Sequence, residues 1–316
     1  MHSFTLFVRL IRWPNLVFIL LTEALIQFCI LSPNLLLSPV QHGLLLQCFW
    51  LTAFSYVALA AAGYIINDWF DLAIDQLNKP GKVFITNGIS VRLALAYYWL
   101  LNLLAVTASL YISYRLHSLL AFWGTITCAI LLYIYSASLK KLPFWGNLLV
   151  ALITAWSVIV LLLIEKNGLP FSAFYLSDCF KRVISCIMLY ALFSFTISLV
   201  REIVKDMEDV QGDARFGCRT MPIAWGIHTT RFIAAGFLVL LMVVLIVTNL
   251  IALRLFSWYF ELYCILLILL PLFLLIFQLL RAESKSDFGK LSKNIKWVML
   301  SGILSMLFFL VQGLCM

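Results

Sequence analysis

Asp68, Asp71 and Asp75 stand together in the stretch NDWFDLAID, residues 67–75. Their spacing of i, i+3 and i+7 places them within about 60° of one helical face. Like charges gathered in this way raise one another's pKa unless a cation compensates them. Carboxylate oxygens are also the ligands that hard divalent cations such as magnesium take, commonly one or two carboxylates with substrate phosphates completing the shell. Residues 205–213, KDMEDVQGD, repeat the spacing with Asp206, Asp209 and Asp213. One acidic run beside an apolar helix reads equally well as a solvated cap. Two runs of the same spacing point to a shared site, because charge near a membrane core is costly. Gly212 is the weak point of the second run, since a helix broken there carries Asp213 off the shared face.

Bases surround both runs. Lys79 and Lys82 follow the first in NKPGKVFITNGIS, and Arg201 and Lys205 flank the second in REIVKDMEDVQGDARFGCRT. Acids for a metal, with Lys and Arg for anionic oxygens, compose a diphosphate site. Any single base serves as a membrane anchor just as readily, and Lys141, Arg215 and Arg219 are read that way. A third stretch, YIYSASLKKLPFWGN at 133–147, offers Tyr135, Ser136 and Lys140 directly after an apolar run. A tyrosine ring can stabilise an allylic cation by cation–π attraction, and a lysine can reach an anion.

The elements that must position these residues are membrane helices. The chain has 316 residues, is 64% hydrophobic and 11% charged, and has a mean hydropathy of +1.05, against about 25% charged residues in soluble domains. Spans of about 20 apolar residues fall near 14–32, 43–66, 93–113, 118–136, 147–165, 183–200, 230–250, 257–280 and 297–315. The expected fold is therefore all-α, a polytopic bundle of nine transmembrane helices forming a single domain over 1–316. With the N-terminus inside, 17 Lys and Arg residues fall on the inner side and 5 on the outer. That bias places the N-terminus and the chemically rich loops 67–92, 137–146 and 201–229 in the cytosol. The net charge of +8 then records loops near anionic lipid, not nucleic-acid binding. The eight cysteines show no CxxC or His/Cys pairing, so neither zinc nor a disulfide framework is expected. The N-terminal MHSFTLFVRLIRWPN has the charge of a signal sequence without a cleavage pattern and is read as retained.

NDWFDLAID fits the NDxxDxxxD motif of the UbiA superfamily of intramembrane prenyltransferases. KDMEDVQGD fits that family's second motif as DxxDxxxD, and YSASLKKLPFWGN resembles its YxxxxK loop through Tyr135 and Lys140. The resemblance spans nearly the whole chain. It implies nine helices in a bacterial or archaeal-type cell membrane, with a cytoplasmic active site and two magnesium ions. Asn67, Asp68, Asp71 and Asp75 would hold them from one side, and Asp206, Asp209 and Asp213 from the other. The donor implied is a polyprenyl diphosphate, bound also by Lys79, Lys82, Arg201 and Lys205, with Asp71, Asp209, Tyr135 and Lys140 as the catalytic candidates. No obligate protein partner is implied. The second loop is more similar to the branch that alkylates a glycerol-phosphate lipid, geranylgeranylglyceryl phosphate, than to the 4-hydroxybenzoate branch. Related loops occur in homogentisate and chlorophyll-type branches, so an aromatic quinone or pigment precursor (4-hydroxybenzoate, homogentisate or dihydroxynaphthoate) stays open as acceptor. One departure concerns the text after NKP: where many members carry an Arg-Pro segment, this chain has GKVFITNGIS, and Lys82 lacks the bidentate fork of an arginine.

Two readings of other classes stand beside this one. An ion-coupled transporter would place acids near the bilayer midplane, where only Glu23 and Glu261 qualify. A non-enzymatic scaffold leaves the duplicated spacing unexplained. Glu23 itself is either a buried acid paired with a polar neighbour or, with Arg12 and Asn15, part of a cluster that touches the substrate head.

Overall fold

The computed structural model describes residues 2–34, 39–78, 81, 83–168, 178–252 and 258–312. Lipid offers the backbone no hydrogen-bond partners, so uninterrupted apolar runs fold as helices that satisfy every amide internally. Among the described residues nine helices are long and apolar enough to cross a membrane. They are span 1 (Trp13–Asn34), span 2 (Val40–Phe70), span 3 (Val91–Arg115), span 4 (Leu120–Ala137), span 5 (Trp145–Asn167), span 6 (Asp178–Arg215), span 7 (Ile227–Ile251), span 8 (Trp258–Arg281) and span 9 (Lys285–Leu310). The protein is an all-α, multi-pass integral membrane protein.

The differences from the sequence expectation lie where polar residues enter helices. Span 6 continues through the whole second aspartate run to Arg215, with Gly212 buried inside it. The break considered at Gly212 does not occur, because neighbouring helices pack against that turn. Span 9 begins at Lys285, not near 297, behind a capping box in which Ser284 and Asp287 satisfy each other's backbone amides. The first run spans the junction of two helical segments. The helix Pro39–Phe70 ends just before Asp71, and a short helix, Leu72–Asn78, follows. Asp71 N–H still reaches Asn67 O at 3.0 Å, and Asp75 N–H reaches Asp71 O at 2.8 Å. Helical hydrogen bonding therefore continues through Asp71, and Asn67, Asp71, Ile74 and Asp75 keep one face toward the cavity.

Helix association in lipid rests on close packing and interhelical hydrogen bonds, since lipid tails are as apolar as leucine. Ile203, Val204, Leu272, Leu275, Phe288 and Leu291 form one buried cluster joining spans 6, 8 and 9. Ile30, Phe49, Leu161, Ile187 and Phe309 form another across spans 1, 2, 5, 6 and 9. At Gly124 a side-chain carbon would lie 3.1 Å from the Trp156 ring, whose Nε1–H donates to the Tyr56 hydroxyl at 2.7 Å. Six described cysteines are free thiols, but Cys179 is disulfide-bonded. A single bonded cysteine is not a disulfide framework, and it carries no spacing signal in the sequence.

Candidate active site

Residues from both aspartate runs, from the tyrosine–lysine loop and from spans 1 and 9 line one cavity of about 360 Å³. Asn67, Asp71 and Asp75 enter it from span 2 and the helix that follows. Asp206, Asp209 and Asp213 enter from span 6, as do Arg201 and Lys205; Tyr135 and Lys140 come from the end of span 4 and the adjoining loop. Span 6 positions its set because residues 201, 202, 205, 206, 209 and 213 recur at helical spacing. From this polar rim the cavity runs inward to Tyr56, Cys128, Tyr190, Phe193 and Met306. The Tyr190 hydroxyl there pairs with Ser305 Oγ at 2.7 Å.

The carboxylates are not bare. Lys140 Nζ lies 2.7 Å from Asp71 Oδ1 and donates to Asn67 Oδ1 at 3.1 Å, while Asn67 Nδ2 donates to Asp71 Oδ2 at 3.0 Å. Burial lowers the Lys140 pKa, and the attraction of Asp71 restores it only in part. Across the cavity Asn147 Nδ2 donates to Asp206 Oδ2 at 2.8 Å. Deeper along span 6, Glu202 Oε1 bridges Arg201 at 3.0 Å and Lys205 at 2.7 Å. Gly146 sets the seat of Lys140: a side-chain carbon at Gly146 would lie 2.8 Å from Lys140 Cα and 3.0 Å from Leu139 O, both backbone atoms.

Asp68 departs from the expectation. It is absent from the cavity lining and pairs with the guanidinium of Arg12. The physical reason is Arg12, which lines the cavity itself and takes the Asp68 carboxylate in an ion pair. Burial depresses the Arg12 pKa, but the Asp68 carboxylate more than offsets this and leaves it above its ordinary value. Lys79 and Lys82 lie outside the described residues. Glu23 is fully buried, is not in the cavity lining, and has no hydrogen-bond partner on either carboxylate oxygen among the described residues. The neighbour pairing considered for it is therefore absent. Arg12 and Asn15, grouped with it in the sequence reading, do line the cavity. Lys141, Arg215 and Arg219 do not.

Sequence reasoning missed Glu202, Asn147, Tyr64 and Lys296. Glu202 was legible at helical spacing from Asp206 and Asp209, and Lys296 from the Ser284–Asp287 capping signature that starts span 9 early. Asn147 and Tyr64 carried no signal beyond proximity to other motifs.

The donor set is made of hard oxygens from two facing elements, which suits magnesium and not a soft metal. Among the described residues no three His, Cys, Asp or Glu side chains converge closely enough to hold an ion as they stand. Magnesium takes only one or two carboxylates where phosphate oxygens complete its shell, so the arrangement fits an ion that arrives with its substrate.

The description of the UbiA prenyltransferase family matches residues 25–307. The chain belongs to that family. Its enzymatic class is that of a prenyltransferase. Among UbiA relatives, the digeranylgeranylglyceryl phosphate synthase of Saccharolobus solfataricus is 33% identical over 267 residues, covering 84% of this chain and 86% of that protein. The enzyme of the same name from Thermococcus sibiricus is 32% identical over 208 residues, 64% of this chain and 62% of that protein. Among solved structures, a UbiA homologue from Archaeoglobus fulgidus bound to DMAPP and Mg2+ superposes with a TM-score of 0.59 at 18% identity, covering 95% of this chain and 98% of that one. A structure described for digeranylgeranylglyceryl phosphate synthase in membranes gives a TM-score of 0.65 at 23% identity, covering 98% and 100%.

Proposed function

We propose that the protein catalyses magnesium-dependent transfer of a polyprenyl group from an allylic polyprenyl diphosphate to the hydroxyl of a glyceryl phosphate lipid, with geranylgeranylglyceryl phosphate as the acceptor. One observation carries the reading: five of the six motif aspartates, with Tyr135, Lys140, Arg201 and Lys205, line a single cavity that passes from an acidic rim into an apolar interior. A charged head and a greasy tail are matched in that order. The acceptor assignment draws support from relatives named digeranylgeranylglyceryl phosphate synthase and from the KDMEDVQGD loop.

Asp71 and Asp75 with Asn67, facing Asp206, Asp209 and Asp213, would hold magnesium, two ions in the fullest arrangement. Magnesium, when bound, neutralises charge on the departing diphosphate. Lys140, Arg201 and Lys205 bind the diphosphate oxygens and assist the same departure. The apolar walls keep water from the allylic carbon, and the Tyr135 ring stabilises positive charge developing there. The C–O bond to diphosphate breaks and the acceptor oxygen bonds the freed carbon. A motif carboxylate not engaged with metal takes the acceptor's hydroxyl proton. Asp68 serves this scheme by holding Arg12. The Lys and Arg bias orients the rim toward the cytosol.

The test is transfer of labelled geranylgeranyl from its diphosphate in membranes, with geranylgeranylglyceryl phosphate, 4-hydroxybenzoate, homogentisate and dihydroxynaphthoate offered in parallel. Label entering the glyceryl phosphate product, abolished by EDTA, is the expected result. Label entering an aromatic product instead overturns the acceptor assignment.

A further inference from the structure

The cavity carries more base than a diphosphate site requires, and the surplus comes from the two ends of the chain. Arg12 and Asn15 open span 1, Tyr64 lies on span 2 and Lys296 on span 9; all four line the cavity. They form one connected cluster. Lys296 Nζ donates to Asn15 Oδ1 at 3.0 Å, Asn15 N–H donates to the Arg12 carbonyl at 2.8 Å, and the Arg12 guanidinium lies 5.0 Å from the Tyr64 ring centroid. None of these residues belongs to an aspartate motif.

Two features show that the cluster is held in place. Arg12 has φ 52° and ψ 51°, the left-handed region, which costs an L-residue roughly 1–2 kcal/mol. Such strain persists only where the surroundings over-determine it, and it concentrates at ligand clamps. Here the Asp68 ion pair, the Tyr64 ring and the Arg12 carbonyl, which accepts from Asn15 N–H at 2.8 Å, fix the residue against its backbone preference. Lys296, in turn, is the last charged residue of span 9, at the point where the polar KSDFGKLSKN gives way to the apolar WVMLSGIL, and its ammonium is tied to span 1 through Asn15.

The diphosphate already has its own bases in Lys140, Arg201 and Lys205. A second cationic cluster in the same cavity, offering a guanidinium, an ammonium, an amide and a phenol, matches a second, separate anion with several acceptor oxygens. We propose that Arg12, Asn15, Tyr64 and Lys296 bind the phosphate of the acceptor lipid, with Asp68 positioning Arg12, and that this cluster makes the enzyme select a phosphorylated glycerol lipid over its uncharged alcohol. The inference rests on the proposed acceptor class and adds the residues that recognise it. The carboxylate of an aromatic acceptor offers such a cluster two oxygens, a phosphate monoester three.

The experiment compares geranylgeranylglyceryl phosphate with unphosphorylated geranylgeranylglycerol as acceptors for the wild type, Lys296→Gln and Lys296→Arg, with donor and magnesium saturating. Losing a charge-assisted contact lowers kcat/KM for the phosphate about tenfold to a hundredfold. The loss is expected in the acceptor's KM, so the preference for phosphate over alcohol collapses in Lys296→Gln and is largely restored in Lys296→Arg. An unchanged preference in folded Lys296→Gln, or a loss confined to the donor's KM, overturns the assignment. A wild type that uses neither glycerol lipid overturns the proposed acceptor class instead. The two failures are thus distinguishable.

Discussion

Gly146→Ala tests whether the seat of Lys140 matters, without altering any group that touches substrate. The added carbon would sit 2.8 Å from Lys140 Cα and 3.0 Å from Leu139 O. Carbon atoms reach their optimum at about 3.5–4.0 Å, so the loop must retreat by about 0.7 Å or more, and both opposing atoms are backbone. Lys140 Nζ holds Asp71 at 2.7 Å and Asn67 at 3.1 Å. A shift of that size along the contact takes the first to about 3.4 Å and lengthens the second beyond hydrogen-bonding distance. Overpacking of this kind costs about 1–3 kcal/mol, and misplacing a reacting group by about 1 Å can cost a hundredfold in rate. The expected outcome is a lower Tm together with a fall in kcat of about tenfold or more, measured on protein in detergent and in the prenyl-transfer assay. Gly236→Ala is the control: on span 7 nothing lies within 4 Å of its would-be side chain, and Ala in a helix is favoured by about 0.5–1 kcal/mol. Wild-type kcat and Tm in Gly146→Ala would refute the reasoning.

Asp71→Ala and Asp209→Ala are expected to abolish turnover at any magnesium concentration, whereas Asp68→Ala lowers activity without shifting the magnesium dependence; a shifted magnesium titration in Asp68→Ala would return that residue to the metal set. Because Asp68 and Arg12 act as a pair, their single Ala variants and the double variant should lose similar amounts, with a coupling of about 1–3 kcal/mol; strict additivity in kcat/KM argues against the pair. Among the described residues Glu23 is buried without a hydrogen-bond partner, so Glu23→Gln, which keeps its shape and removes the ionisable group, should hold stability or raise it by about 1 kcal/mol, read as an unchanged or higher Tm; a clear fall in Tm would show that the carboxyl is satisfied in the membrane. Met306 lines the cavity and is 1% exposed, so if the prenyl tail reaches it, Met306→Ala should raise kcat/KM for a donor one isoprene unit longer relative to the shorter donor, at a stability cost of about 2–5 kcal/mol; an unchanged ratio would place the tail elsewhere.

The sequence exposed the bundle well because lipid forces apolar runs into helices, and nine runs could be placed. It exposed most of the candidate site because both aspartate runs and Tyr135 with Lys140 keep a recognisable spacing. At Asp68 the i, i+3, i+7 pattern places the residue beside Asp71 but carries no sign that Arg12, 56 positions away, takes its carboxylate. The sequence misled at Gly212, since propensity argued for a break and tertiary packing prevented one. Lys296 was hidden because a hydropathy window starts a span at its apolar part, while the helix starts at its cap. The Arg12–Asn15–Tyr64–Lys296 cluster joins residues 281 positions apart, and no local pattern encodes that contact.

The central claim is tested most directly by purified protein reconstituted with geranylgeranyl diphosphate, geranylgeranylglyceryl phosphate and magnesium, followed by mass analysis of the lipid and assay of released diphosphate. The account predicts one digeranylgeranylglyceryl phosphate formed per diphosphate released, and neither after EDTA. Diphosphate release without the ether product, or transfer that continues in EDTA, would contradict it.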